Sequence, residues 1–170
     1  VSILVLDSSG LLDIQTLTVT VTNVNEAPEI TSNSSISFAE NNTSLVTTIT
    51  SADLDVGDTA TYSKSGEDAS NFEIDSGSGI LTFVNTPDFE NATDSDGNNT
   101  YIVTVTVTDD GGQTGTQTLT VTVTGVNEAP EITSNGGGST SSISFAENNT
   151  SLVTTVTSSD TDFGDTATYS

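Results

Sequence analysis

The sequence predicts an all-β protein made of tandem Greek-key β-sandwich domains of about 100 residues each. Three observations predict it. Short runs such as VTVTVT alternate valine with threonine, which gives a strand one apolar and one hydroxyl-bearing face. Clusters of Asp, Gly, Ser and Asn separate these runs, and no window keeps the 3.6-residue period of a helix. The third observation is that the sequence repeats itself.

The repeat is long and nearly exact. Gln15–Asn33 recurs with one difference as Gln117–Asn135, and Ser34–Ser63 recurs closely as Ser141–Ser170. A period of about one small domain indicates modules rather than a catalytic signature. A calcium-loaded β-helix is disfavoured because its short Gly/Asp repeat is missing.

The repeat divides the chain into three parts. We expect residues 1–24 to be the C-terminal strands of one repeat, residues 25–126 a complete repeat, and residues 127–170 the N-terminal part of another. The partial repeats have two or three predicted strands each, too few to bury a core. The sequence has no Met and no signal peptide, and we interpret it as a segment of a longer polypeptide.

Charge limits the partners of the chain. It has 24 Asp or Glu residues against one Lys or Arg, for a formal charge of −23 at pH 7. Phosphate binding needs basic surfaces, so neither nucleic acid nor an anionic membrane is expected as a partner. No apolar run predicts membrane insertion of this segment. An acidic surface keeps a β-rich protein in solution and also attracts cations.

Carboxylates recur at the ends of predicted strands. Glu40 ends the run ISFAE, DLD gives Asp53 and Asp55 on one side of an extended segment, and PDFE gives Asp88 and Glu90. The remaining candidates are Asp109 at a strand end and the linker residues Asn25, Glu26, Asn127 and Glu128. These groups are oxygen donors without nitrogen or sulfur companions, and Ca²⁺ takes six to eight oxygen ligands.

An enzymatic role is disfavoured. The chain has no His or Cys, which removes histidine-based triads and thiol chemistry. Asp88 and Glu90 have the composition of a glycosidase pair, but an aromatic-lined pocket is lacking, since the chain has no Trp. We expect most of the aromatic side chains in the core of the sandwich: Phe38, Phe72, Phe83, Phe89 and Tyr101.

In this order the motifs resemble those of tandem cadherin-like repeats, of the kind strung together in large bacterial surface proteins. FAEN is similar to the family's x-E-x motif, DLDVGDTATYS to D-x-D-x-G-x-N-A…YS, and PDFE to L-D-x-E. FEIDSGSGILTF, YIVTVTVTDDGG and VNEAPEI resemble the other family motifs. The likeness extends over essentially the whole chain and implies cadherin/immunoglobulin-like sandwich domains.

The resemblance also implies where calcium binds, because cadherins hold these ions at the junctions between successive domains. At the first junction, residues 23–29, the implied ligands are Asn25, Glu26, Asp53, Asp55 and Asp109. At the second junction, residues 125–131, they are Glu40, Asp88, Glu90, Asn127, Glu128, Asp160 and Asp162. Asp7 and Glu147 would serve junctions outside this segment.

The linkers depart from the family pattern. Thr22 and Asn25 stand where the family has two Asp residues, and Thr124 and Asn127 do so at the second junction. Thr59 replaces the family's Asn. Calcium affinity depends on the number of charged ligands, so we expect weaker binding than with a fully acidic linker.

Together these features predict a non-enzymatic extracellular repeat, a calcium-rigidified spacer in a long surface or secreted protein such as an adhesin stalk or matrix component. Its predicted partners are neighbouring repeats of the same chain. The alternative is a self-assembling extracellular filament or surface-layer subunit, in which identical neighbouring chains complete the partial repeats. Because Trp is absent, adhesion by tryptophan strand exchange is not inferred.

Overall fold

The computed structural model describes all residues, Val1–Ser170, and its regular structure is almost entirely β. The strands are β1 (Ser2–Leu6), β2 (Leu12–Thr16), β3 (Glu29–Ile30), β4 (Ser35–Ala39), β5 (Thr47–Thr48), β6 (Ser51–Ala52), β7 (Thr61–Ser65), β8 (Phe72–Ile74), β9 (Ile80–Phe83), β10 (Thr100–Thr108), β11 (Thr114–Thr124), β12 (Glu131–Ile132) and β13 (Ser158–Ser159). Two 3₁₀ turns, Ala69–Asn71 and Ser134–Gly136, complete the elements. The structure holds no helix with the length and hydropathy needed to cross a bilayer.

One layer of the sandwich is a four-stranded sheet in the order β4–β11–β10–β7. The long antiparallel hairpin of β10 and β11 is its centre, and β4 pairs with β11 in parallel. The alternation read from the sequence sets the two faces. Val103, Val105 and Val107 are fully buried, whereas Thr104 and Thr106 lie on the other face and are half-buried.

The opposite layer combines the small sheets β5–β9–β8 and β3–β6. The hydrogen bond from Thr31 N to Thr50 O (2.8 Å) extends the β3–β6 pair, and that from Ile49 N to Gly79 O (2.8 Å) extends the β5–β9 pair, so the segment from β5 to β6 runs from one small sheet into the other. The chain passes from β7 into the hairpin of β8 and β9 and then returns to pair β10 with β7. This is a Greek-key connection, and the predicted all-β sandwich is confirmed.

Apolar side chains from both layers form a single core. Its buried members are Phe38, Val46, Ile49, Tyr62, Phe72, Leu81, Tyr101, Val103, Val105, Val107, Leu119, Val121 and Val123. Phe83 lies at its margin, with its ring centroid 4.5 Å from that of Phe72 and 5.1 Å from that of Tyr101. The Tyr101 hydroxyl accepts a hydrogen bond from Thr93 N (3.1 Å), which satisfies its polar end inside the protein.

The expectation that Phe89 belongs to the core is wrong. Its side chain is 39% exposed, and its ring lies against Gly125 at the second junction. A Cβ atom on Gly125 would come within 3.2 Å of the ring. Phe89 therefore supports the linker rather than the core.

Residues 1–24 and 127–170, which were predicted to be partial repeats, bury no side chain. Residues 1–24 contribute the hairpin of β1 and β2, and residues 127–170 contribute only the two-residue pair β12 and β13. The segment Ser142–Ala146 has the same sequence as β4 but is not a strand. β4 exists through its pairing with β11, and no strand pairs with Ser142–Ala146.

Candidate metal centre at the repeat junctions

Carboxylates from three parts of the chain converge at the second junction. One oxygen each of Glu90, Glu128 and Asp162 lies within 4.8 Å of the others. Glu90 belongs to the PDFE turn of the central repeat, Glu128 to the linker, and Asp162 to the partial repeat that follows. The structure therefore brings together residues that are far apart in sequence.

Glu40 connects this group to the sandwich. Its carboxylate also lies within 4.8 Å of those of Asp88 and Glu90. It follows β4 directly, is only 3% exposed, and accepts hydrogen bonds from Phe89 N (2.8 Å) and Val126 N (2.6 Å). Glu40 thus fixes both the PDFE turn and the start of the linker against the end of the sandwich.

The following partial repeat contributes a group of its own. Carboxylates of Asp160, Asp162 and Asp165 lie within 4.8 Å of one another. Asp162 N donates a hydrogen bond to Asp160 Oδ1 (3.1 Å). Asp162 Oδ2 accepts a hydrogen bond from Glu128 N of the linker (2.7 Å). Asp162 therefore belongs both to this group and to the one that spans the junction.

At the first junction the corresponding group consists of Asp53, Asp58 and Asp109. Asp109 follows β10 and is 7% exposed. Its carboxylate accepts hydrogen bonds from Gln113 N (2.8 Å) in the β10–β11 turn and from Asn25 Nδ2 (2.8 Å) in the linker. The linker is thus attached to the carboxylate group by a side-chain amide.

Asp55, a predicted partner of Asp53, lies outside that group. Asn23 Nδ2 donates to its Oδ1, and Glu26 N donates to its Oδ2 (2.8 Å). These hydrogen bonds, that of Asn23 first, lower the pKa of Asp55 below its usual value. The corresponding Asp162 keeps the backbone hydrogen bond but has no such amide partner, because Gly125 replaces Asn23 in the second linker.

Several of the grouped carboxylates are held next to like charges. Burial raises the pKa of Glu90, and Glu40, Glu128 and Asp162 raise it further. The pKa of Glu128 is raised by burial and by the charges of Glu40 and Asp162. No cationic side chain relieves this repulsion, since the Lys64 ammonium donates to Ala69 O in another part of the repeat.

Two buried carboxylate oxygens without hydrogen-bond partners make these groups suitable for binding a hard cation. Asp53 Oδ2 and Glu128 Oε2 are inaccessible to solvent and accept no hydrogen bond from the protein. A buried carboxylate oxygen without a donor is costly unless something else satisfies it. Both oxygens belong to groups made only of oxygen donors, the ligand type that Ca²⁺ prefers.

The other predicted ligands lie beside these groups or apart from them. Asn127 Nδ2 donates to Glu128 O (2.9 Å), and the Glu26 side chain is exposed. Asp7 accepts hydrogen bonds within the β1–β2 turn, from Ser9 and Leu11, and Glu147 is exposed. None of the carboxylates of Glu26, Asp7 and Glu147 is in a carboxylate group of the structure.

Two grouped residues, Asp58 and Asp165, were missed in the sequence. The available signal was a third aspartate three residues after D-x-D, in the twice-occurring pattern D-x-D-x-G-D.

Comparison with known proteins is consistent with this fold. A family model described as the cadherin domain matches residues 34–124, more than half of the chain. No curated protein matches the chain.

Among solved structures, the chain is similar to Drosophila N-cadherin EC1-4, with 29% identity and a TM-score of 0.52 over 65% of this chain and 28% of that one. It is also similar to mouse cadherin-23 EC22-24, with 26% identity and a TM-score of 0.56 over 71% of this chain and 38% of that one. Human protocadherin-24 EC1-2 shares the fold at 24% identity and a TM-score of 0.57, over 82% of this chain and 64% of that one. The chain thus spans less than two thirds of each of these relatives. From the family match and the observed sandwich, we conclude that this chain belongs to the cadherin domain family.

Proposed function

We propose that the chain is a calcium-stiffened spacer: a run of cadherin repeats, with residues 25–126 as the complete one, in an extracellular surface or matrix protein. Cadherin domains are extracellular, non-enzymatic modules that typically bind Ca²⁺. The observation that carries the proposal is the convergence of Glu90, Glu128 and Asp162, one each from a repeat, its linker and the next repeat. A cation held by all three connects the two repeats across the linker.

The residues of the chain would act on the joint in two ways. Glu40, Asp88 and Glu90 form one wall on the preceding repeat, and Asp160 and Asp162 form the other. Without a cation, the charges of the two walls repel each other across Glu128, which favours bent or separated arrangements. When bound, Ca²⁺ would neutralise these charges. Ligands that bind only the closed joint stabilise it by mass action.

The linker sets the strength of this effect. Thr124 and Asn127 take the positions of acidic family residues, so the second junction has fewer charged ligands. Affinity falls as the number of charged ligands falls, and extracellular calcium modules with weak sites have dissociation constants on the order of 10⁻⁴–10⁻³ M. We place this chain in that range, where extracellular calcium regulates stiffness.

The proposal is tested by small-angle scattering and proteolysis of the full chain, in millimolar Ca²⁺ and in chelator. We expect calcium to lengthen the particle and to slow cleavage after Glu128 by a glutamate-specific protease. Glu90→Gln should weaken both effects. Glu73→Gln, which removes the same charge from the exposed face of β8, should leave both as in the wild type. Equal dimensions and cleavage rates in calcium and chelator would overturn the proposal.

A further inference from the structure

The pattern D-x-D-x-G-D folds in the same way at both junctions. Asp58 N donates to Asp55 O (3.4 Å), and Asp165 N donates to Asp162 O (3.3 Å). The glycine before each third aspartate has a positive φ, +105° at Gly57 and +96° at Gly164. This left-handed residue turns the chain back on itself. The third aspartate is thereby brought towards the first.

The turn does not depend on the surrounding core. Asp53–Asp58 lies in the complete repeat, whereas Asp160–Asp165 lies in a partial repeat that buries no side chain. Both nevertheless group the first and third aspartates, Asp53 with Asp58 and Asp160 with Asp165. The local motif is therefore sufficient to bring these two carboxylates together.

The Asp58 carboxylate is free to bind a cation, whereas the Asp55 carboxylate holds the linker through hydrogen bonds. The linker already uses both oxygens of Asp55, through Asn23 and Glu26. The half-buried Asp58 carboxylate accepts no hydrogen bond, and its neighbour Asp53 Oδ2 is buried and unpartnered. The groups facing Asp58 are acidic: Asp53, Asp55, Asp109 and Asp110.

Building on the proposed calcium-binding function, we infer that Asp58 and Asp165, the third aspartates of the two D-x-D-x-G-D motifs, are direct calcium ligands. At the first junction, Asp58 occupies the place beside Asp53 that sequence reasoning gave to Asp55. Each third aspartate also returns a negative charge to a junction whose linker lacks two acidic family residues, at Thr22 and Asn25 in the first linker and at Thr124 and Asn127 in the second.

The test uses the full chain with terbium(III) as the probe of the calcium sites and Ca²⁺ as its competitor. Luminescence lifetimes in H₂O and D₂O count the water molecules bound to the metal. We expect the double variant Asp58→Asn/Asp165→Asn to weaken calcium binding about tenfold or more and to add about one water per bound ion, because one of six to eight ligands is lost.

The control for charge alone is Asp110→Asn. Asp110 lies near Asp58, but its carboxylate accepts hydrogen bonds from Thr59 and is outside the group. We expect Asp110→Asn to weaken binding less and to leave the number of bound waters unchanged. Asp58→Glu/Asp165→Glu should restore part of the affinity.

The outcomes separate this inference from the function on which it rests. If the double variant matches Asp110→Asn in affinity and hydration, the third aspartates are not ligands, although the wild type binds metal. If the wild type itself binds neither Ca²⁺ nor terbium at millimolar concentration, the proposed function fails. Because the Asp58 side chain makes no hydrogen bond, the double variant and the wild type should have the same free energy of unfolding in chelator. This measurement excludes misfolding as the cause of weaker binding.

Discussion

The carbonyl oxygen of Pro28 occupies the space that a side chain on Gly115 would need. This close approach brings the first linker against the β10–β11 hairpin. Gln113 Nε2 donates to Asn25 O in the same region, and Asn25 Nδ2 donates to Asp109 (2.8 Å). The position of the linker beside the first carboxylate group therefore depends on a residue without a Cβ atom.

Gly115→Ala is expected to lower the free energy of unfolding by about 1–3 kcal/mol, because backbone atoms must move to admit the methyl group. Denaturant unfolding in chelator measures this loss. Gly77→Ala is the matched control, since its Cβ would meet only Asp75 Oδ1 at 3.8 Å, an ordinary contact. Equal stability of the two variants would show that the linker yields without cost.

Asn23→Gly is expected to raise calcium affinity at the first junction by a few-fold. The substitution removes the amide that occupies Asp55 Oδ1 and gives the first linker the residue present at Gly125 in the second. Asp55 is then free to join Asp53. Calorimetric calcium titration measures the affinity, and Asn23→Ala should behave similarly because it also lacks the amide. An unchanged affinity in both variants would contradict the inference that the hydrogen bond from Asn23 keeps Asp55 from binding calcium.

The reverse exchange, Gly125→Asn, should lower affinity at the second junction by engaging Asp162. Gly125→Ala separates this effect from sterics, because any Cβ at this position must displace the Phe89 ring. If alanine weakens binding as much as asparagine, the steric effect accounts for the change and the amide does not.

Leu81→Ala is expected to cost about 2–5 kcal/mol of unfolding free energy, through lost burial and the cavity that remains. Leu81 is fully buried in β9 between the two layers. Leu54→Ala removes the same atoms from a side chain that is 82% exposed, and should change stability by less than about 0.5 kcal/mol. Thermal or denaturant unfolding in chelator distinguishes them, and comparable losses would place Leu81 outside the core.

The β8–β9 turn should make stability dependent on acid pH through Asp75. Its carboxylate accepts hydrogen bonds from Ser78 N (2.7 Å), Ser78 Oγ (2.8 Å) and Gly77 N (3.1 Å). These bonds lower the pKa of Asp75 below the ordinary value of 3.8. Its stabilising contribution is therefore complete above pH 3.8 and is lost as the pH falls through the lower pKa of the folded state.

Asp75→Asn should accordingly be less stable than the wild type at pH 7, with a difference that shrinks as the pH falls below 3.8. Denaturant unfolding of both proteins, at pH 7 and at a pH below 3.8, gives this difference. Glu73→Gln, a nearby charge change without side-chain hydrogen bonds, should change stability little at either pH. A difference for Asp75→Asn that grows on acidification would contradict the assignment.

The sequence was sufficient to predict the sandwich but not which copy of a segment forms a strand. Leu119–Thr124 is part of β11, whereas the identical Leu17–Thr22 is not a strand, and Ser35–Ala39 and Ser142–Ala146 differ in the same way. The alternation of apolar and polar residues predicts which face of a strand is apolar. Whether the strand forms depends on a partner to complete its hydrogen bonds, and that is a tertiary property.

The carboxylate groups were predicted in part, for a similar reason. Glu40, Asp88 and Glu90 were expected together and are found together. The structure groups Asp53 with Asp58 and Asp109 rather than with Asp55, because the segment bends at this point and Asn23 donates a hydrogen bond to Asp55 from the linker. Phe89 was placed in the core because of its position in the repeat, although it follows the buried Pro87 in a turn that faces the junction.

The parallel pairing of β4 with β11 decides how a repeat responds to pulling. β4 lies near the start of the repeat and β11 at its end, and they are joined from Ser35↔Thr120 to Ala39↔Thr124. Tension applied through the two linkers slides these strands past each other along their length. All the hydrogen bonds of the pair then resist together rather than opening one after another. In the complete repeat, the strand pair that resists tension thus lies between the first and last long strands, next to the Glu40 that ties it to the following junction.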